Sequence, residues 1–600
     1  MDTTVRVRRP LGEFRVIAAP LLFCLFWPFV AHAQAFYPLK DVRPGLRGVG
    51  RTVFNGNHIE EFQVEILGTL ENLTPKQTII LAKLSGGPLA ETGVLQGMSG
   101  SPVYIDGKLV GAIALGFPFS KEPIAGIQPI EDMVADARPP SAAPLPKSAL
   151  SFRRVPPVSA LSSSFGSLSE ILSPVAFSGF TPATLETFGT EFRRLGLSPQ
   201  QGVSSGSPTS QRYSGTVTPG SMISVQLLSG DMSISADGTV TYVDGNRVYA
   251  FGHRFLDSGA TDLPFARADV VALLPSVNTS FKLSASREWV GSMTRDRSTA
   301  IAGEIGRHAH TVPLAITVRS ASTGIHDYRM HVVEDRLLTP FVTQTALFSV
   351  MDATERAVGA GTLRLHGQVD FEGNIPPLLI RDVFISDNAL PQQASADAVV
   401  PLSFVLGAGF ANLRLKNISF QLEPVDSKRQ LHIAQAWASK HEARPGDTVE
   451  ITAVLQGENG VELTRVATYR VPVGASAGPL NFTVSDAATL NFPDFAGMSQ
   501  SALRDPGELV RAINDYRSSD AAYVRVWRQE PAFTVAGPAP GGELTDPPPS
   551  VMLILADPSS SVTTNPALTL TRGSGLAELT IPVAGFSVSG AKTVQVEVKE

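Results

Sequence analysis

The chain has 600 residues, with 49 Lys and Arg against 55 Asp and Glu and a formal charge of −6. Charged side chains make up only 17% of it, both signs are interspersed, and no basic stripe carries aromatics, so nucleic acid is excluded as a partner. Cys24 is the only cysteine, which rules out a disulfide scaffold and leaves stability to buried apolar cores; a chain of this length supplies these in about four domains of ~150 residues.

At the N-terminus, Arg6, Arg8, Arg9 and Arg15 precede an apolar run from Val16 to Val30 that ends in Ala31-His32-Ala33. The run is shorter than the roughly 20 residues a spanning helix needs, and a small-x-small site follows it. Residues 1–33 therefore read as a secretory signal peptide cleaved near Ala33, and the mature chain as periplasmic or secreted. Cys24 falls within the signal, after Leu22 and Phe23 rather than the small residues of a lipid-attachment site. No later apolar stretch is long enough to span a membrane, so no transmembrane segment is expected in the mature chain.

Beyond the signal, recurrent Gly and Pro and alternating runs such as 239–243 and 449–455 predict a mostly β protein. A first β module is expected over 36–137, a linker with a bridging helix over 138–210, and a second β module over 211–370. Helical periodicity is expected at 129–137, 182–195 and 501–517, the last opening on Asp505-Pro506-Gly507-Glu508. Residues 138–163 and 198–210, rich in Pro, Ser, Ala or Gly, read as linkers or surface loops. Short strands with turn signals at Arg444-Pro445-Gly446-Asp447 and Glu458-Asn459-Gly460 predict an immunoglobulin-like sandwich over 371–490. A C-terminal helix plus β region completes 491–600, and the C-terminal β domains are the surface offered to a cell-envelope partner.

One echo links the two β modules. Residues 103–112 and 241–250 both read as strand, Asp-Gly turn, strand, the turns being Asp106-Gly107 and Asp244-Gly245. Asp-Gly between alternating runs signals a hairpin, because its turn residues tolerate positive φ. The echo predicts two similar modules, although such hairpins recur in unrelated all-β proteins.

Gln96-Gly97-Met98-Ser99-Gly100-Ser101-Pro102 runs into the first hairpin. A nucleophilic serine needs a tight glycine-flanked turn that exposes its hydroxyl and aims backbone N–H groups at the carbonyl oxygen under attack. Ser99 fits, although a bare Gly-x-Ser-Gly more often only joins strands. Ser101 competes for the role, but Pro102 follows it and lacks an N–H. A partner base must titrate near neutrality, and His253 ends a predicted strand after Gly252. His308 and His310 alternate on a strand with no third ligand nearby, so they read as structural; neither a metal nor a cofactor is expected.

The string from Gly93 to Val103, followed by Asp106 to Ala112, resembles the serine motif of SpoIVB peptidases, and Ala250-Phe251-Gly252-His253-Arg254-Phe255-Leu256 resembles their Gly-His element. The resemblance covers about 40–137 and 211–310. It implies a two-module chymotrypsin-like β fold, Ser99 as nucleophile, His253 as general base, and the N–H groups of Gly97 and Ser99 as the oxyanion hole. It also implies a serine endopeptidase acting on an envelope or extracellular protein, its own chain included. Two departures stand out. The family's aspartate before the serine is missing, since Leu84 to Pro88 occupy that place and Glu91 is the only acid close by. The histidine follows the serine, as a permuted order of modules would give. Asp296 is the first substitute for the orienting acid, ahead of Asp269, but Arg295 and Arg297 also allow a surface ion pair there. A Ser-His dyad aided by backbone carbonyls is the remaining arrangement. The rival reading is a degenerate peptidase fold kept as a binding scaffold.

Overall fold

The computed structural model describes residues 35–600 apart from 74–76, 138–167, 203–215, 355–360, 411–412, 500–504, 529–531, 536–542, 545–567, 572–573 and 584. The expected signal peptide, most of both expected linkers and residues 501–504 lie outside the described residues. Residues 198–201, expected as loop, belong to a strand that runs over Leu197–Gln201.

Six strands build a first barrel: β1 (Arg47–Asn55), β2 (His58–Glu71), β3 (Thr78–Ser85), β4 (Pro102–Ile105), β5 (Lys108–Gly116) and β6 (Ile124–Pro129). Their order around the wall is β1-β2-β3-β6-β5-β4, and β4 pairs back to β1, so no edge is left along most of the sheet. Every neighbouring pair is antiparallel. Period-two alternation sets the facing: on β2, Phe62, Val64 and Ile66 are buried while Gln63 and Glu65 face out. They pack with Ile80, Leu84, Val103, Ile113 and Ile127. A short helix, α1 (Leu89–Thr92), precedes the serine turn, and α2 (Ile130–Asp136) follows β6 as expected.

Next come β7 (Ser169–Glu170), β8 (Ser173–Ser178), α3 (Pro182–Arg194), the expected bridging helix, and β9 (Leu197–Gln201). A second barrel then uses β10 (Met222–Gly230), β11 (Ser233–Asp244), β12 (Arg247–Ala250), β13 (Gly259–Leu274), β14 (Phe281–Arg297) and β15 (Ala300–Ile305). Its order is β10-β11-β12-β15-β14-β13, closing on β10, again with antiparallel pairs throughout. Strand for strand this repeats the topology of the first barrel. The expected mostly β, two-module chymotrypsin-like fold is present.

The wall of the second barrel continues into a larger sheet through β16 (Thr311–Ser320), β17 (Gly324–Val333), β18 (Gly361–Phe371), β19 (Leu378–Ser386) and β20 (Leu415–Val425). Two helices, α4 (Leu338–Thr354) and α5 (Leu390–Gly407), share its apolar core. Strands between Gln430 and Val598 form four- and five-stranded sheets around one further core that includes Leu431, Ile451, Phe482, Val524 and Val596. This two-sheeted sandwich draws its strands from both regions expected after residue 371, and 371–425 belongs largely to the preceding sheet. Residues Pro506–Asn514 form the expected C-terminal helix, capped by the Asp505 carboxylate, which accepts from the Glu508 N–H at 3.1 Å.

Candidate active site

Ser99 lies in the connection between the third and fourth strands of the first barrel, and His253 in the same connection of the second. Asp296 ends the fifth strand of the second barrel, beside the turn into the sixth. Repeating one topology therefore brings one type of loop from each barrel to a common seam.

The serine turn is stitched onto the histidine barrel through its carbonyl groups. Thr92 O accepts from Ser280 Oγ at 2.7 Å, and Gln96 O from Lys282 N at 3.1 Å. Gly97 O accepts from Thr239 Oγ1 at 2.9 Å, Ser99 O from Thr239 N at 2.8 Å, and Gly100 O from Thr241 Oγ1 at 2.7 Å. A trans peptide points its N–H opposite to its carbonyl, so fixing Gln96 O toward the second barrel turns the Gly97 amide away from it. Among the described residues neither Gly97 N nor Ser99 N has an acceptor, whereas Met98 N, Gly100 N and Ser101 N are bonded to Leu95 O, Ile113 O and Met98 O. Two free amides beside a serine are what an oxyanion hole requires.

Gly97 and Gly100 make this turn possible. Their φ values are 89° and 92°, in the left-handed region that costs an L side chain about 1–2 kcal/mol. A Cβ on Gly100 would also fall 1.9 Å from Thr239 O and 2.5 Å from Phe251 N, so the serine turn touches the backbone just before His253. Thr239 joins the same two segments, donating to Ser99 O and accepting from Phe251 N at 3.2 Å. Phe251 itself has φ 71° and is fully buried, its ring 5.9 Å from that of Phe255. Strain of this kind, about 1–3 kcal/mol, persists where packing over-determines it, and here it returns the chain over the serine turn.

Ser99 and Ser101 have no exposed surface, and His253 is 4% exposed. Ser99 Oγ, Ser101 Oγ and His253 Nε2 are buried without a hydrogen-bond partner, so Ser99 and His253 are not bonded to each other in this resting arrangement. Three orphaned polar atoms at one seam call for an explanation, because buried polar groups are otherwise satisfied. Ser101 has its backbone committed to the sheet, its O accepting from Ile113 N at 2.9 Å; Ser99 sits at the tip of the turn with its amide free.

His253 Nδ1 lies 2.6 Å from Arg254 O. A carbonyl oxygen only accepts, so Nδ1 carries the proton and Nε2 the lone pair. Burial lowers the imidazole pKa below its ordinary value, with Glu170, the Arg254 carbonyl and Asp296 acting in the opposite sense. Asp296 is fully buried and makes no hydrogen bond to the imidazole. Its carboxylate accepts from Phe255 N (2.8 Å), Leu256 N (2.7 Å) and Ser258 N (3.1 Å), clamping the loop that follows His253. Arg295 and Arg297 take no part in this clamp. Asp269 is bound to Arg287 at 2.7 Å and Arg267 at 3.4 Å and makes no hydrogen bond to His253. His310 pairs with Glu334 at 2.9 Å.

Sequence reasoning missed a buried pair beside the turn. Lys282, 1% exposed, runs beneath Gly97, where a Cβ would sit 3.3 Å from Lys282 Cδ, and its Nζ donates to Thr52 Oγ1 of the first barrel at 2.7 Å. Asp237, also buried, accepts from Ser284 Oγ. Burial pushes Asp237 up to about 6 and Lys282 down to about 7, while their mutual attraction opposes both shifts. The only sequence signal was the alternation of Thr239 and Thr241, which puts both hydroxyls on one face of β11.

Among the described residues no group of His, Cys, Asp and Glu is arranged to hold a metal, and no helix is long and apolar enough to cross a membrane. No curated protein and no solved structure matches the chain. A family does: residues 38–133 match the SpoIVB peptidase S55 family, a span that takes in the whole serine barrel and ends before the histidine barrel begins. The match covers the part of the chain that carries Ser99 and supports, in general terms, a serine peptidase of SpoIVB type acting on protein.

Proposed function

We propose that the chain is an exported serine endopeptidase in which Ser99 is the nucleophile and His253 its general base, with substrates among envelope or extracellular proteins, its own chain included. The observation that carries this is the turn itself: two unbonded amides, Gly97 N and Ser99 N, flank an unpartnered hydroxyl on the tip of a loop held by its carbonyls. The Arg254 carbonyl fixes the imidazole with Nε2 as the proton acceptor. When substrate enters, Nε2 takes the Ser99 proton as Oγ attacks the peptide carbonyl; such hydrogen bonds tighten in the substrate complex. Negative charge on the former carbonyl oxygen is received by the Gly97 and Ser99 amides, each worth roughly 3–4 kcal/mol of barrier. His253 then protonates the leaving amine, and water that it activates hydrolyses the acyl-enzyme.

Asp296 is a positioning residue in this scheme, holding the loop behind the base and favouring the imidazolium by its charge. The C-terminal sandwich is the surface for an envelope partner.

A fluorophosphonate probe tests the assignment. Ser99 is labelled in the wild type and in Ser101→Ala, and labelling is lost in Ser99→Ala and His253→Ala. Labelling that survives Ser99→Ala, or is absent from the folded wild type at prolonged exposure, hands the chain to the scaffold reading.

A further inference from the structure

β7 closes neither barrel. Among the described residues it pairs with β5 alone, Glu170 opposite Leu115 and Ser169 opposite Gly116, antiparallel. The edge it covers is the direct continuation of the serine turn. β4 pairs with β5 only as far as Ala112, Gly100 and Ser101 then bond Ile113, and the next residues, Ala114 to Gly116, offer their main-chain groups to no strand of the barrel on that side. Ile171 N donates to Ala114 O at 2.9 Å. The segment therefore runs toward Ser99, with Ser169 farthest from the nucleophile and Ile171 nearest. In a peptide lying this way, the residues on the edge are those before the bond presented to Ser99.

Side chains extend the likeness. Ile171 is 7% exposed and packs with the core of the first barrel. A Cβ on Gly116 would meet Ile171 Cγ1 at 3.6 Å and Val94 Cγ1 at 3.7 Å, so the absent side chain at Gly116 and the wall made by Val94, five residues before Ser99, leave a pocket the size of an aliphatic group. Glu170 points out and pairs with Arg254, the neighbour of the base, at 3.2 Å. The free amides of Gly97 and Ser99 show that the Ile171 carbonyl does not enter the oxyanion site, so the strand is docked without being poised for attack.

We infer that Leu168–Ile171 is a substrate-like strand seated in the peptidase's own acyl-side groove, that it must leave before another chain can enter, and that the groove selects extended peptides with an aliphatic residue at the place of Ile171. Adding a strand to an exposed edge, with a pocket for alternate side chains, is a general mode of peptide capture. This deepens the peptidase reading and rests on it for its biological sense, but groove occupancy is measurable without catalysis.

The test uses the full chain carrying Ser99→Ala and a fluorescent Leu-Ser-Glu-Ile peptide, the sequence of 168–171. Displacing the strand with Ile171→Glu, or with Ser169→Pro if the first variant fails to fold, should tighten peptide binding at least about tenfold, as expected when a strand docked some nine-tenths of the time is removed. A peptide with Asp in place of the final Ile should lose that binding. Equal affinity with and without the displacing substitution, or indifference to the Asp replacement, overturns the inference. In the Ser99-bearing protein the same displacement should raise the rate of fluorophosphonate labelling. Peptide binding gained with Ser99 still unlabelled would retain the groove and remove the hydrolase; labelling at an unchanged rate with no gain in binding would retain the hydrolase and remove the strand's role.

Discussion

The two barrels share one strand order and place their equipment in the same connection, yet they contribute opposite kinds of chemistry. The first supplies a hydroxyl and free backbone amides from a glycine turn. The second supplies the titratable groups: His253, the Asp296 clamp behind it, and the buried Lys282 and Asp237 beneath the turn. Neither is a site alone. The serine turn is bonded through five carbonyls to donors of the other barrel, so the geometry of the turn that carries the proposed oxyanion amides is set at the seam as well as within the first barrel.

The substitution that should break this arrangement most severely is Gly100→Ala. Its Cβ would meet the backbone of Thr239 and Phe251, which cannot move unless the barrels part. We expect a loss of about 4–5 kcal/mol or more, the size reserved for such disruptions, together with all activity. Gly107→Ala is the control: φ is 74°, but open space surrounds it, so only the left-handed backbone cost of about 1–2 kcal/mol should appear. Similar losses for the two variants in denaturant unfolding would show that the seam does not hold the turn.

Next in size is the buried pair. Lys282→Met removes the donor to Thr52 Oγ1 and the charge that opposes the rise of the Asp237 pKa, and should cost about 1–3 kcal/mol, part of it recovered in Lys282→Met/Asp237→Asn. Stability against pH sharpens the assignment. A lysine lowered to about 7 destabilises the folded state until pH rises through 7 toward 10.5, whereas an aspartate raised to about 6 destabilises it once pH rises from 3.8 through 6. Both penalties are in force between about 6 and 7, so the wild type should show a shallow stability minimum there. The double variant should lack it, and a minimum that persists would assign it to other groups.

What the sequence made legible was local. The serine turn, the Gly-His element and helices at 130–136 and 182–194 announce themselves through glycine, motif and periodicity within a few residues. The Asp-Gly echo pointed to two modules through a false correspondence: Asp106-Gly107 joins the fourth and fifth strands of its barrel, Asp244-Gly245 the second and third. Hairpin chemistry is shared by many turns and carries no strand number. Helix α4 escaped notice because it is buried nearly all round, which erases the polar face that periodicity needs, and α5 because Pro401 interrupts it and its exposed face carries the apolar Val400. Thr239, Ser280 and Lys282 were invisible because their contacts with the serine turn cross more than a hundred residues of chain. Asp296 was offered as a substitute for the family's missing aspartate, and its carboxylate binds the amides after His253 rather than the imidazole.

The smallest effect concerns the base itself and separates the barrels' electrostatics from their packing. Burial, the largest influence, lowers the His253 pKa below the ordinary 6.5, and Glu170 is the strongest influence in the other direction. In the proposed mechanism neutral imidazole accepts the Ser99 proton, so burial would keep the proposed base competent at pH values where an exposed histidine is protonated. An NMR titration of His253 in the resting protein should therefore find a midpoint below 6.5. Glu170→Gln removes a carboxylate that favours the imidazolium, so it should move the midpoint lower still, and added salt should weaken the difference because Glu170 is 40% exposed. A rise in Glu170→Gln would mean that β7 acts on His253 mainly by burying it, because loosening the strand would then rehydrate the ring and relieve the desolvation that holds its pKa down.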